Sequence, residues 1–152
     1  MTRFVVLGMG NRLMMDDGIG VYIVEELQKQ NKDESVKYIV GETDIDFCLD
    51  VIENTSYLIV IDAVKTGKEP GEISIYSLDE MPLMNLGFSS HNLHFFHFLY
   101  HKKQRIKGIL IGIEPFQIDF NLGLSSILNN RFHQVMINVK RQIQKVKETA
   151  FS

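Results

Sequence analysis

The stretch Phe4–Gly20, FVVLGMGNRLMMDDGIG, decides the fold. It begins with a short apolar run, Phe4 to Gly8, rich in β-branched residues. Near-continuous hydrophobicity of that length is what a parallel strand covered on both faces requires. Glycines follow, and then GIGVYIVEELQKQNK takes up a helical period. Ile19, Ile23, Val24 and Leu27 fall on one face of it, with Glu25, Glu26 and Lys29 outside. A strand, a glycine turn and an amphipathic helix make the first half of a βαβ unit.

The same pattern recurs along the chain. VKYIVG (Val36 to Gly41), YLIVIDAV (Tyr57 to Val64) and KGILIGIEP (Lys107 to Pro115) read as further buried strands. DIDFCLDVIEN reads as a short helix, and a last helix is predicted over about Asn129 to Glu148. GEISIYSL (Gly71 to Leu78) alternates with period 2, so it reads as an edge strand with one wet face. The resulting expectation is an α/β three-layer sandwich. Its sheet is five-stranded and mostly parallel, with one antiparallel edge strand and helices on both faces. With 152 residues, 45% of them hydrophobic, the chain has the material for a single domain over 1–152.

A net charge of −3 provides no cationic footprint for nucleic acid. The basic tail Lys140 to Lys147 alternates with apolar residues and reads as a solvated helix face. No segment approaches the roughly 20 apolar residues that span a bilayer. One cysteine, Cys48, allows no intramolecular disulfide and fits a reducing compartment, so a cytoplasmic location is expected.

The glycines of the opening stretch suggest a dinucleotide site, which needs G-x-G-x-x-G. Gly8 and Gly10 match, but Leu13 stands at the third position. The helix also starts only after Asp16 and Asp17, and two carboxylates there would repel a phosphate. Glu42, after the second strand, could imitate the ribose-binding acid, so that reading is weakened, not removed. Asp16 is expected to cap the helix. Two acids exceed what a cap requires, which leaves Asp17 for a ligand. Asp62 ends an apolar strand, where burial without a partner is costly. Ligands of open α/β sheets bind beyond the carboxyl ends of the strands. If the first and third strands are neighbours, Asp17 and Asp62 converge there.

SSHNLHFFHFLYH carries four histidines in one expected helix. At about 100° per residue His94, His97 and His101 share a side, while His91 lies rotated away at the N-terminal end. Two carboxylates and an imidazole from three separate loops form a plausible metal set. Nucleophiles fare worse. Cys48 falls within a helix with no local histidine. GLSSI (Gly123 to Ile127) lacks the final glycine of a nucleophile elbow, and Ser89 and Ser90 adjoin His91 without forming a triad by adjacency alone. The segment Leu78 to Ser90 reads either as a methionine-rich lid for a peptide or as an ordinary loop over the core.

VLGMGNRLMMDDGIG, LIVIDAV, SSHNL and GIEP followed by LGLSS, in this order and spacing, resemble the hydrogenase maturation endopeptidase family over about Met1 to Arg141. The resemblance implies a helix-flanked parallel sheet. It implies removal of a C-terminal peptide from the nickel-loaded precursor of a [NiFe]-hydrogenase large subunit. It implies Asp17, Asp62 and His91 as the catalytic and metal-contacting residues. Nickel would be supplied by the precursor, with another divalent metal on the enzyme as the alternative. The family often has two glycines after the second strand, where this chain has GET, so Glu42 departs from the pattern. The competing functions are a nucleotide- or ligand-binding module and a noncatalytic precursor-binding chaperone of the same fold.

Overall fold

The computed structural model describes residues 4–80, 90–101 and 106–150, with Ser90 and His91 described by backbone alone. Five strands form one sheet: β1 (Phe4–Met9), β2 (Val36–Glu42), β3 (Tyr57–Ala63), β4 (Ile73–Ser77) and β5 (Lys107–Ile113). Their order is β2-β1-β3-β5-β4, parallel except for β4, which pairs antiparallel with β5 at the edge. Among the described residues four helices accompany it: α1 (Ile19–Gln30), α2 (Ile45–Val51), α3 (Ser90–His101) and α4 (Ser126–Ala150). This is the α/β sandwich with an antiparallel edge strand that the strand pattern predicts.

Period-2 alternation divides the core in two. Phe4 and Val6 of β1 face α1 and α4, packing with Ile23, Leu27, Val139 and Ile143. Val5, Leu7 and Met9 face the opposite way, toward Cys48, Ile52, Phe95 and Leu99 of the α2–α3 side. The strand therefore buries every side chain, which is why its sequence is apolar without interruption.

The edge strand departs from expectation. Ile73 joins the α1–α4 cluster while Tyr76 and Leu78 join the other, and the residue left most exposed is Ile75. Both faces of β4 are half covered, because helices overhang the sheet on each side. The last helix begins at Ser126, earlier than its apolar period suggests, since the Ser125 hydroxyl accepts from the Leu128 amide and starts it. Of the segment Leu78 to Ser90, read as a lid or an ordinary loop, residues 81–89 lie outside the described residues.

The chain leaves β1 through α1 toward β2, then returns past β1 to β3. Strand order therefore reverses at β1, and the crevice between the carboxyl ends of β1 and β3 is the topological switch point.

Candidate active site

At that switch point the polypeptide leaving β1 doubles back tightly. Asn11 shapes the turn: its side-chain oxygen accepts from the Leu13 amide and its carbonyl from the Met14 amide. A 3₁₀ turn, Met15–Gly18, then leads into α1. Gly10 has φ +138°, and a Cβ on it would lie 2.0 Å from the carbonyl oxygen of Asp17. Gly20 is equally confined, since its Cβ would meet the Ile61 carbonyl oxygen at 2.2 Å. The glycines admit the chain's own backbone where a phosphate cradle would admit a ligand. They press the acidic turn against the ends of β1 and β3.

The two adjacent carboxylates have separate surroundings. Asp16 is fully buried, and its oxygens accept from the amides of Phe116, Gln117 and Ser125 and from the Ser125 hydroxyl, at 2.7 to 2.9 Å. The expectation that Asp16 caps the following helix is therefore corrected. Gly18 occupies the cap of α1, with no side-chain hydrogen bond there, and Asp16 instead anchors the loop that joins β5 to α4. A short side chain on a 3₁₀ turn points away from the axis of α1, toward those loop amides.

Asp17 is nearly buried and accepts from the Asn11 amide at 2.9 Å. Asp62 closes β3 with no exposed surface. One of its oxygens accepts from the Ala63 amide at 2.8 Å, and the other accepts from the side-chain amide of Asn92. Burial and the neighbouring negative charge of Asp17 push the Asp62 carboxyl well above the usual range, although the bonds from Ala63 and Asn92 favour its ionised form. β1 pairs with β3, and the two acids do converge. A buried like-charged pair on separate loops is costly unless a cation or proton offsets it, and carboxylates are ligands that suit a divalent ion.

His91 lies in the first turn of α3, and its side chain is outside the described residues. Its neighbour Asn92 was not singled out by sequence reasoning. Asn92 is buried and reaches Asp62 from the start of α3, which places this helix terminus at the crevice. The available signal was its position: a polar residue beside His91 on the inward face, three residues before the buried Phe95.

The matches with known proteins agree with this fold. A family model described as hydrogenase maturation protease matches residues 21–142. The chain belongs to the hydrogenase maturation protease family. It is 30% identical over 129 residues to a Methanocaldococcus jannaschii protein named for that family, covering 78% of this chain and 75% of the other. The hydrogenase maturating endopeptidase HybD of Escherichia coli superposes with a TM-score of 0.79 at 27% identity, covering 95% and 94% of the two chains. The Thermococcus kodakarensis HybD shares the fold, with a TM-score of 0.70 at 24% identity over 93% and 99% of the chains. The protein is thus a peptidase of the maturation type.

Further polar contacts of this maturation protease surround the acidic turn. Arg12 forms a bidentate pair with Glu25, both bonds at 2.7 Å, and a further one to Glu42 at 2.8 Å, with Tyr22 beneath its guanidinium. Glu42 has φ +53°, a conformation that favours glycine. Glu42 adopts this backbone while pairing with Arg12. Cys48 packs in the core, where burial raises its thiol to about 12. The Ser125 hydroxyl is committed to Asp16.

Proposed function

We propose that this maturation protease removes a C-terminal peptide from the nickel-loaded precursor of a [NiFe]-hydrogenase large subunit, using Asp17, Asp62 and His91. The observation that carries the reading is the buried, mutually repelling pair Asp17 and Asp62 at the switch-point crevice, on a chain of this family. The paired carboxylates suit a nickel ion that arrives with the substrate, and their repulsion falls when such a cation lies between them. Cleavage would then wait on metal loading. His91, in the first turn of the helix that also provides Asn92, would complete the donor set. Bound there, the ion would supply Lewis-acid polarisation of the scissile region. Asp62 is held in orientation by Ala63 and Asn92.

A covalent acyl-enzyme finds no support among the described residues, because Cys48 and Ser125 are buried and otherwise engaged. The setting we infer is the cytoplasm, which suits the single reduced cysteine; no described helix is long and apolar enough to cross a membrane. Purified protein mixed with nickel-loaded precursor should give a large subunit shortened at its C-terminus by mass spectrometry. Asp17→Asn, Asp62→Asn and His91→Ala should each abolish cutting while circular dichroism stays unchanged. Uncut precursor with the wild-type protein would sink the reading. Full activity in any one variant would remove that residue from the site.

A further inference from the structure

We propose that His97 and His101 form a surface chelate on α3 for a borderline divalent transition ion such as Ni²⁺ or Zn²⁺. The two imidazoles stand at i and i+4, the spacing at which helical neighbours project over one another and at which paired histidines grip a single ion. Their rings already lie nearly parallel, 14° apart in plane, with centroids separated by 6.4 Å. Both side chains are exposed, as is that of His94 on the same face. Rotation about their side-chain torsions is therefore free to turn one nitrogen of each ring toward a shared ion. Tyr100 meets His101 edge to face, with centroids 5.2 Å apart, and limits that ring on the side it touches.

No group of three histidine, cysteine or acidic ligands converges among the described residues. The chelate is therefore two imidazoles completed by water. Neutral imidazole selects nickel, copper and zinc, whereas Mg²⁺ and Ca²⁺ demand oxygen ligands. The site is separate from the acidic crevice. With a rise of about 1.5 Å per residue, His97 and His101 lie roughly 9 and 15 Å along α3 from His91, too far to share an ion with Asp17 and Asp62. The proposal does not depend on the peptidase mechanism.

The test uses untagged full-length protein and Ni²⁺ alone at neutral pH, followed by calorimetry and by the NMR signals of the imidazole protons. Ni²⁺ should broaden the signals of His97 and His101 selectively. His97→Ala and His101→Ala should each lose one bound equivalent, and the milder His97→Gln and His101→Gln should do the same. The double variant Asp17→Asn with Asp62→Asn should retain that equivalent, as should His133→Ala on α4. Unchanged stoichiometry in either the His97 or the His101 variants would overturn the chelate. Loss of the same equivalent in the double aspartate variant would overturn it as well, by assigning the ion to the crevice.

Discussion

Asp16 and Ser125, 109 positions apart, are joined by two hydrogen bonds of 2.7 Å each, one from the serine amide and one from its hydroxyl. With the amides of Phe116 and Gln117 on the same carboxylate, this contact holds the loop after β5 against the acidic turn after β1. Asp16→Ala would strand several buried donors, each costing on the order of 1–3 kcal/mol when left unpaired. We expect a loss of about 3 kcal/mol or more in urea denaturation at unchanged m-value. Asp16→Asn keeps the shape but turns an amide toward amide donors, and should lose nearly as much. A change below about 1 kcal/mol for either variant would show that water replaces the lost acceptor.

Asn92 should behave as a positioning residue for Asp62. Removing an outer partner of a ligating carboxylate commonly costs 10- to 100-fold in activity or metal affinity. Asn92→Ala is expected to lower kcat on nickel-loaded precursor by about that factor, with little change in KM. A rise confined to KM would assign Asn92 to substrate contact. Wild-type kinetics would make its bond to Asp62 incidental.

How much of this was readable beforehand differs from residue to residue. The convergence of Asp17 and Asp62 was legible, because Asp62 is a polar residue ending an apolar strand, Asp17 is a second acid beyond what a cap requires, and strand ends are where such sheets bind ligands. The partner of Asp16 was not legible. Capping is a local rule, whereas the amides it satisfies lie about a hundred residues away, in a loop without periodicity. Asn92 stayed hidden for a similar reason: which side chain of an aromatic-rich helix turns inward depends on how that helix docks. Glu42 was visible as a departure from the family pattern, but its positive φ was not, since nothing in GET separates a turn from a bulge.

The raised Asp62 carboxyl gives stability a definite pH slope. In the unfolded chain such a group titrates near about 3.9, and in the fold it titrates higher, chiefly because it is buried and then because Asp17 is near. The fold therefore favours the protonated form. Its contribution is complete below the unfolded value and is lost as pH rises through the folded one. Asp62→Asn cannot ionise and removes that slope, with the amide of Asn92 turned over to match. The variant should be cleavage-dead yet have a higher denaturation midpoint than wild type at neutral pH, with the two curves approaching one another in acid. An equal or lower midpoint at neutral pH would contradict the burial argument.

Glu42 sets a backbone preference against an exposed ion pair. Glycine at this position relieves the left-handed conformation, roughly 1 kcal/mol. It also gives up the half-exposed bond to Arg12, which is worth about 0–1 kcal/mol, and loosens the unfolded chain by a comparable amount. Glu42→Gly should therefore lie within about 1 kcal/mol of wild type. Glu42→Val loses the pair and cannot adopt the backbone easily, so it should cost about 2 kcal/mol. Equal effects of the two substitutions in thermal denaturation would mean that the ion pair, not φ, governs this position.

The loop fixed by Asp16 presents an apolar rim beside the crevice. Phe120 is 81% exposed and Leu122 70%, and Asn121 between them bonds to Leu13 and Met15, which places exposed Leu13 alongside. Large apolar side chains held out by a rigid anchor suit a macromolecular substrate better than a small solute. If the precursor lies across this rim, Phe120→Asp and Leu122→Asp should raise KM for the precursor about tenfold or more, with kcat nearly unchanged. Removing this much buried apolar contact is worth about 1.5–3 kcal/mol per side chain. Both positions are solvated in the free protein, so thermal stability should stay within about 0.5 kcal/mol. Unchanged KM in both variants would move substrate contact away from this loop.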